Sequence, residues 1–344
     1  MSRASRWLLS AGLLIFIGIL STQGLPAVLA LLALAGWGLL LVALFHLVPL
    51  ILDAAAIRVL FEGAGAHGSM KDALLARWVG ESANSLMPGG QIGGPVLMAR
   101  HLTQRGMGTQ QAAAAITVST TLQTFAQIGF ALVGVSLLGA HASHISEDEV
   151  RTSALIASAF LGLQLAGFYL MQRRGLFGKL MRAAAHFLGK RDWSHWVIHA
   201  QAIDLAVDRT YRRTGAVAAS FALSLVGWVV GTVEVYLILR LIGSPAGWTD
   251  SLMLESVGQA IRGAAFAIPG ALGVQEGGYV LLASLAGLPP HAGLALSLAK
   301  RAREMILGLP GLLYLHRSEG RARARFAPLI ASSECVSQHK KDRH

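Results

Sequence analysis

Polar and ionisable side chains interrupt stretches of this sequence that are otherwise apolar, and these residues could bind a charged or polar ligand. Two groups repeat at spacings of three, four or seven residues, which places each group on one face of a helix. The groups are Glu81, Asn84 and Ser85 in one stretch and Glu255, Gln259 and Arg262 in another. Because an ionisable side chain at the centre of a membrane helix costs about 2.5 to 3.5 kcal/mol, both groups are predicted to be paired or functional.

Further candidates lie beyond these two faces and in the last apolar stretch. They are Gln91, Gln275, Glu276, Lys300 and Arg301, with Arg303 and Glu304 close by. Together with the first six residues they could surround a polar headgroup. The alternative is that the carboxylates only neutralise neighbouring cations and close helix packing without touching a ligand. Both interpretations stay open for each residue singly, whereas the whole set favours a ligand.

Ionisable residues near the ends of the apolar stretches are weaker candidates. Glu234 and Arg240 are expected to be structural. Asp53, Arg58 and Glu62 can extend to the membrane surface, because side chains near helix ends reach toward water. Most of the 12 histidines lie in loops or surface helices and are expected to be solvated.

Known enzyme signatures do not occur in the sequence. It contains no H-E-x-x-H motif, no Walker loop and no aspartate-rich motif. Its single cysteine, Cys335, can form neither an intramolecular disulfide nor a paired-cysteine metal site. We therefore expect no catalytic residue, cofactor or metal, and the chain is not expected to be an enzyme.

The elements that carry these residues are predicted to be membrane helices. Hydrophobic residues make up 54% of the 344 positions and charged residues 14%. About 20 apolar helical residues cross a bilayer. The sequence therefore predicts an all-α polytopic integral membrane protein with about six full spans. The spans are expected near 8–20, between the turn at 21–26 and residue 58, and near 109–138, 152–172, 215–241 and 291–316.

The distribution of basic residues predicts the orientation. The net charge is +11, but Lys and Arg flank the apolar runs and form no aromatic-interleaved patch, so nucleic acid is not an expected partner. Both termini are predicted to be cytoplasmic in a bacterial inner membrane. The amphipathic segment 173–213 is predicted to lie on the cytoplasmic surface against anionic headgroups, followed at the end of the chain by a basic cytoplasmic tail, 317–344.

Two apolar segments, 71–104 and 251–288, are broken near their middles by Pro88-Gly89-Gly90 and Pro269-Gly270. Proline and glycine end helices, so each segment is predicted to be a re-entrant hairpin of two short helices. The first hairpin would enter from the cytoplasm and the second from outside. Small residues four apart, Gly89 with Gly93 and Gly273 with Gly277, would let backbones approach closely.

The two broken segments resemble each other, which indicates an internal repeat. Each reads Glu-Ser, then Pro-Gly, then Gln, then Gly-Gly. Such pairs in opposite halves are typical of inverted-repeat transporters, whose tips meet near the midplane. Chance similarity in a chain with 39 glycines is the alternative. The predicted organisation is one membrane domain, 1–316, with a first half 1–172 and a second half 173–316.

The two Pro-Gly motifs, 81–94 and 268–278, resemble the flippase-like transmembrane region of lysylphosphatidylglycerol synthases. The run Leu298-Ala299-Lys300-Arg301-Ala302-Arg303-Glu304 looks most like the hopanoid-biosynthesis-associated membrane protein of the HpnL type within that superfamily. The resemblance covers about residues 5 to 316 and implies lipid translocation or lipid handling. Some 28 residues follow His316, too few for the aminoacyl-transferase domain of the synthases, so lipid aminoacylation by this chain is not expected.

These observations together predict a flippase-like lipid transporter whose hairpin tips form a groove for a lipid headgroup, with a hopanoid-related lipid implied only by the resemblance. The expected partners are membrane lipids, including those with anionic headgroups. Two alternatives stay open. One is a membrane-embedded lipid-modifying enzyme that uses Glu and His, and the other is a non-catalytic scaffold that binds lipid-synthesis proteins.

Overall fold

The computed structural model describes residues 30, 32–87, 90–141, 163, 167, 169–170, 172, 174–175, 179, 194–265 and 268–341. Regular secondary structure within these ranges is helical, and no strand occurs in them. The first predicted span, most of the fourth and the loop that follows residue 141 lie outside the described residues.

The described ranges contain ten α-helices and one 3-10 turn. They are α1 (Gly38–Phe45), α2 (Leu47–Arg58), α3 (Met70–Leu86), α4 (Gly90–Gln104), α5 (Thr109–His141), α6 (Ser194–Arg212), α7 (Thr214–Leu241), α8 (Trp248–Ala264), a 3-10 turn (Pro269–Ala271), α9 (Val274–Leu285) and α10 (Pro290–Lys341). The basic tail predicted after residue 316 continues α10 as helix to Lys341.

Three helical segments in the described ranges are long and apolar enough to cross a bilayer. They are Gly38–Arg58, Thr109–Leu138 and Thr214–Leu241, with mean hydropathies of 2.3, 1.5 and 1.9. Each coincides with a predicted span, and the protein is a multi-pass membrane protein. The span predicted at 291–316 belongs to α10, which carries four charged residues in consecutive turns and therefore does not meet the same apolar criterion.

The segment 71–104 consists of α3 and α4, which run antiparallel. Ser69 starts α3 with a capping box in which its hydroxyl accepts from the Asp72 amide at 3.2 Å and the Asp72 carboxylate accepts from the Ser69 amide at 3.0 Å. The helix ends before Pro88, because the residue that precedes a proline is forced into extended backbone. Met87 has φ −100° and ψ 140°.

The two helices approach closely at a pair of glycines. A Cβ on Gly94 would lie 2.8 Å from the Gly80 carbonyl oxygen and 2.7 Å from Asn84 Cγ. Gly93, which the spacing nominated for this contact, has no atom within 4 Å of its Cβ position. The expectation for Gly93 was therefore wrong by one residue, because the α4 face toward α3 passes through Gly94. Gly89 lies outside the described residues.

The segment 251–288 is also two helices, α8 and α9, separated by the 3-10 turn. Gly270 has φ 62° and Gly273 has φ 80°, values that glycine adopts without steric cost. The Glu276 carboxylate accepts from the Gly273 amide at 2.6 Å and so caps the start of α9. The end of α3 reaches this turn, since the Ser85 carbonyl oxygen lies 3.6 Å from the Cβ position of Gly270.

Two clusters of buried apolar side chains hold the helices together. The first cluster contains residues of α2, α3, α4, α5 and α6, among them Ile57, Leu102 and Ile116. The second joins α1 to α7, α8, α9 and α10 and includes Ile238 and Met253. Because α2, α7, α8 and α10 border the cavity described below, this packing fixes the position of its wall.

Part of the apolar face of α6 packs against protein. Ala206 and Val207 are buried in the first cluster, and the Tyr211 hydroxyl donates to Gln172 Oε1 at 2.9 Å. Helix packing therefore accounts for part of the amphipathic pattern at 194–212, while Ile198 and Leu205 of the same helix are exposed. Most of the preceding part of segment 173–213 lies outside the described residues.

Candidate functional site

A polar cavity of about 230 Å³ lies between helices from both halves of the chain. Its wall includes residues of α2, α3, α4, α5, α7, α8 and α10 and of the turn between α1 and α2. The ionisable residues that line it are His46, Asp53, Arg77, Glu81, Glu234, Glu255, Arg262, Lys300, Arg303 and Glu304. The volume is below the roughly 300 to 1,000 Å³ of typical small-molecule pockets, so the cavity suits a small polar group.

His46 connects three helices at one side of this cavity. Its Nδ1 lies 2.7 Å from Glu234 Oε2 and its Nε2 lies 2.7 Å from Glu81 Oε1. Arg303 Nη1 lies 2.5 Å from the first ring nitrogen and 2.7 Å from the second. The turn between α1 and α2 places the imidazole, so that one ring gathers carboxylates of α3 and α7 and the guanidinium of α10.

A second group of charges joins α8 to α10. Lys300 Nζ donates to Glu255 Oε2 at 2.5 Å, and the Arg262 guanidinium donates to Glu304 Oε1. Gln259 Nε2 donates to Glu255 Oε1 at 2.8 Å. The spacing of Glu255, Gln259 and Arg262 thus turns one face of α8 toward the last helix and the cavity.

A third group lies between α2, α3 and α5. Arg77 Nη2 lies 2.6 Å from Asp53 Oδ2, and Arg77 Nη1 donates to Gln123 Oε1 at 3.1 Å. The Gln123 amide donates to Asp53 Oδ2 at 2.9 Å. The Asp53 side chain is 14% exposed. The expectation that Asp53 extends to the surface was wrong, because Arg77 pairs with it inside the bundle.

The charges of the cavity balance one another. Each of the five carboxylates in its wall has a cationic nitrogen or the His46 ring within 4 Å, through the pairs described above. Breaking a buried pair by removal of one partner costs about 3 to 5 kcal/mol, because the other charge stays unpaired in a poor solvent. The pairing therefore explains how so many charges are tolerated between apolar helices.

Residues outside the cavity bind the second Pro-Gly turn to α10. Arg301 donates to the Glu276 carboxylate and, through Nη2, to the Gly270 carbonyl at 3.1 Å. Gln275 Nε2 donates to Ser297 Oγ at 3.1 Å. These residues do not line the cavity. They fix the turn against α10 and so position it beside the cavity.

The candidate residues predicted from the sequence lie partly in the cavity wall and partly at the two Pro-Gly turns. Glu81, Asn84, Ser85, Glu255, Gln259, Arg262 and Lys300 line the cavity. Gln275, Glu276 and Arg301 support the second turn. Gly90 begins α4, and Pro269 and Gly270 form the 3-10 turn. Pro88, Gly89 and the side chain of Gln91 lie outside the described part of the chain.

Several residues of the site were not predicted from the sequence. His46 was expected to be solvated, yet it lies inside the bundle, and the only signal was its position within a long run without charged residues. Glu234 was expected to be structural and also borders the cavity. Arg77, Gln123, Gln127 and Trp228 had no distinguishing pattern.

The described ranges contain no group of three His, Cys, Asp or Glu residues arranged to hold a metal ion. A family model described as the lysylphosphatidylglycerol synthase TM region matches residues 6–311. The chain belongs to this family. Membership links the protein to lipid handling in a membrane, and the cavity lies within the matched region. No curated protein and no solved structure matches the chain.

Proposed function

We propose that this protein moves a lipid between the leaflets of the membrane, with the lipid headgroup in the polar cavity and the acyl chains in the bilayer. The observation that carries the proposal is a cavity with ten ionisable residues in its wall, enclosed by helices with apolar outer faces. Family membership supports it, because the family is linked to membrane lipids.

The size of the cavity favours a headgroup as its occupant. At about 230 Å³ it has no room for two acyl chains. Moving acyl chains out of hydrocarbon would also cost about 0.8 kcal/mol per CH₂ group. A lipid would therefore keep its chains in the bilayer while only its headgroup enters the bundle.

Four residues of the cavity wall have a buried polar atom without a hydrogen-bond partner in the described part of the protein, and two of these atoms, Glu234 Oε1 and Arg303 Nε, lie 3.4 Å apart as an ion pair. The other two atoms, Asn84 Oδ1 and Arg77 Nε, are available to a headgroup. The first accepts and the second donates, so a hydroxyl or amine could donate to Asn84 while a phosphate oxygen accepts from Arg77. A phospholipid headgroup offers both kinds of group.

We further propose a bacterial cytoplasmic membrane with both termini on the cytoplasmic side, and anionic lipids around the basic segments. Residues 298–304 resemble the hopanoid-associated type, so hopanoid lipids should be assayed first after the common phospholipids. The energy source would be an ion gradient, a partner protein or downhill flow, since the sequence has no nucleotide-binding motif.

Leaflet exchange in reconstituted vesicles tests the proposal. The vesicles contain phosphatidylethanolamine and phosphatidylglycerol with a trace of either lipid carrying a fluorophore that dithionite bleaches in the outer leaflet. Protein should accelerate loss of the protected fluorescence. Asn84→Ala should slow the exchange by about fivefold or more, the effect of a lost hydrogen bond of about 1 kcal/mol in a desolvated site. Arg262→Ala should slow it further.

Gln201→Ala is the matched control, because it removes an amide from the exposed face of α6 and should leave the exchange unchanged. Unaccelerated exchange with every lipid, including hopanoids, would overturn the proposal. Mass spectrometry of the lipids in the same vesicles distinguishes the two alternative functions, a lipid-modifying enzyme and a scaffold. A chemically altered lipid would favour a membrane enzyme, and unaltered, unmoved lipid would favour a scaffold.

A further inference from the structure

The site around His46 has features that a headgroup cavity alone does not need. His46, Glu81 and Arg303 line the large cavity and also a second, much smaller one of about 10 Å³ between α3 and α10. A space of that size holds about one water molecule. The layer of charges at His46 therefore borders a headgroup-sized space and a space that admits only water or a proton.

The contacts of His46 with two carboxylates favour a particular protonation state. Both ring nitrogens lie 2.7 Å from carboxylate oxygens, one of Glu81 and one of Glu234. Neutral imidazole has one N–H donor and one lone pair, whereas imidazolium has two donors. Only the imidazolium can therefore donate to both carboxylates at once.

The charge count of the cavity agrees with that state. Its wall contains five carboxylates and four cations other than His46. A proton on His46 makes the sum zero, and its loss leaves one negative charge. Histidine is the group among these whose usual pKa lies nearest to neutral pH, so it is the member of the network suited to exchange a proton.

Arg303 competes with the proton. Its Nη1 lies within 2.7 Å of both ring nitrogens, where two cations repel each other. When a ring nitrogen loses its proton, this repulsion ends, and the ring can turn so that its new lone pair accepts from Arg303. Glu81, whose side chain is 26% exposed and which borders both cavities, can take this proton and pass it to water in the smaller cavity, so that the proton leaves the network. The network thus has two arrangements that differ by one proton.

Other charged groups face this centre from each helix packed against it. From α10, Lys300 lies 3.9 Å from Glu234, and Glu304 lies 3.5 Å from Arg303. From α8, Glu255 holds Lys300. Arg77 of α3 lies 3.9 Å from Glu81 and is paired with Asp53 of α2. Each of these has a partner besides the imidazole, so the proton on His46 is the charge that can vary.

The backbone at His46 can respond to such a change. His46 lies in the turn that joins α1 to α2, and Pro49 three residues later has no N–H to donate to the Phe45 carbonyl. A helix bends most easily at such a missing hydrogen bond. A shift of the His46 ring between carboxylates and guanidinium would therefore act at a natural bend of the first described span.

We propose that His46 is a proton-binding site that couples proton movement to movement of the lipid headgroup in the adjacent cavity. The inference rests on the proposed transport function. In one arrangement the imidazolium holds Glu81 and Glu234 together. In the other the neutral ring accepts from Arg303, and the cavity, now one charge more negative, changes its affinity for the headgroup.

The test compares leaflet exchange of fluorescent phosphatidylglycerol and phosphatidylethanolamine with and without a pH difference across vesicles that also contain the pH-sensitive dye pyranine. With one proton per lipid, a difference of one pH unit should shift the steady-state leaflet ratio by up to about tenfold. Exchange should be accompanied by proton flux. His46→Gln, which cannot carry the charge, and His46→Arg, which cannot release it, should both lose the response to pH.

His316→Gln is the control, since it removes an exposed imidazole from α10 and should keep the full response. A wild-type protein that moves lipid without proton flux and without response to the pH difference would overturn the coupling and leave the transport function standing. A full response in His46→Gln would overturn the assignment to His46.

If the variants do not fold, as judged by gel filtration, the measurement of proton flux with the wild-type protein alone decides whether lipid movement is coupled to protons. Absence of leaflet exchange at every pH would instead overturn the transport function on which the coupling rests.

Discussion

Lys300 on the last helix donates to Glu255 on α8 at 2.5 Å, and both side chains are almost fully buried. Their separation in the sequence is 45 residues. Replacing one partner leaves the other charge buried and unpaired between apolar helices. We expect Lys300→Met to lower the free energy of unfolding by about 3 to 5 kcal/mol, measured as thermal or denaturant unfolding in detergent.

A second substitution identifies the cause. Lys300→Met combined with Glu255→Leu should recover most of the loss, because a buried ion pair replaced by apolar side chains of similar size is often nearly neutral. Arg212→Ala is the control. It breaks an exposed pair with Asp208 on α6 and should cost at most about 0.5 kcal/mol. A Lys300→Met effect as small as that of the control would contradict burial of this pair.

Gly93 and Gly94 provide a matched pair of substitutions at the first hairpin. We expect Gly94→Ala to destabilise the protein by about 1 to 3 kcal/mol, because the new Cβ would lie 2.8 Å from a backbone oxygen that cannot move alone. Gly93→Ala meets no atom within 4 Å and should be neutral or stabilising by up to about 1 kcal/mol, because alanine favours helix. Equal effects in unfolding measurements would show that α3 and α4 do not pack as described.

The sequence predicted the positions of the helices better than the partners of the charges. Met87 and Gly270 mark breaks next to proline, where the backbone rule is local and needs no knowledge of the fold. The face of α8 was predicted for the same reason, since helical periodicity places Glu255 and Arg262 on one side.

Partner choice depends on packing between distant helices. Lys300 and Glu304 are four residues apart on α10, a spacing at which opposite charges can pair along one helix. Each instead pairs with α8, Lys300 with Glu255 and Glu304 with Arg262. His46 was expected to be solvated because residue type and hydropathy do not distinguish a histidine facing lipid or water from one that lies between two carboxylates. Only the meeting of α3, α7 and α10 decides this.

Cys335 permits a direct test of the proposed orientation. It is the single cysteine of the chain, and it lies near the basic end of α10. With the C-terminus in the cytoplasm, a membrane-impermeant maleimide should label it only after cells are permeabilised. Cys335→Ser combined with His144→Cys should reverse the pattern, because the loop that contains His144, Glu147, Asp148 and Glu149 has no Lys or Arg, which predicts an outside location. Labelling of Cys335 in intact cells would contradict the orientation.

Asp72 at the start of α3 predicts how stability varies with pH at the membrane surface. Burial raises the pKa of this carboxyl, but hydrogen bonds from Ser69 and the charge of Arg105, whose Nε donates to Oδ1 at 2.8 Å, outweigh that effect and hold the pKa below its usual value. A carboxyl with a lowered pKa in the folded state stabilises the protein above its unfolded-state pKa of about 4. That stabilisation is lost as the pH falls through the lower folded-state value.

We therefore expect Asp72→Asn to reduce the free energy of unfolding by about 0.5 to 1 kcal/mol at neutral pH, the usual size of a cap with a partly exposed ion pair. The difference from wild type should shrink as the pH is lowered below about 4, because the wild-type carboxyl then binds a proton and loses its charge. Arg105→Gln should remove part of the same stabilisation, and adding it to Asp72→Asn should cost little more. A difference that stays constant down to the acid limit of folding would mean that the charge of Asp72 contributes nothing and that only the shape of the cap matters.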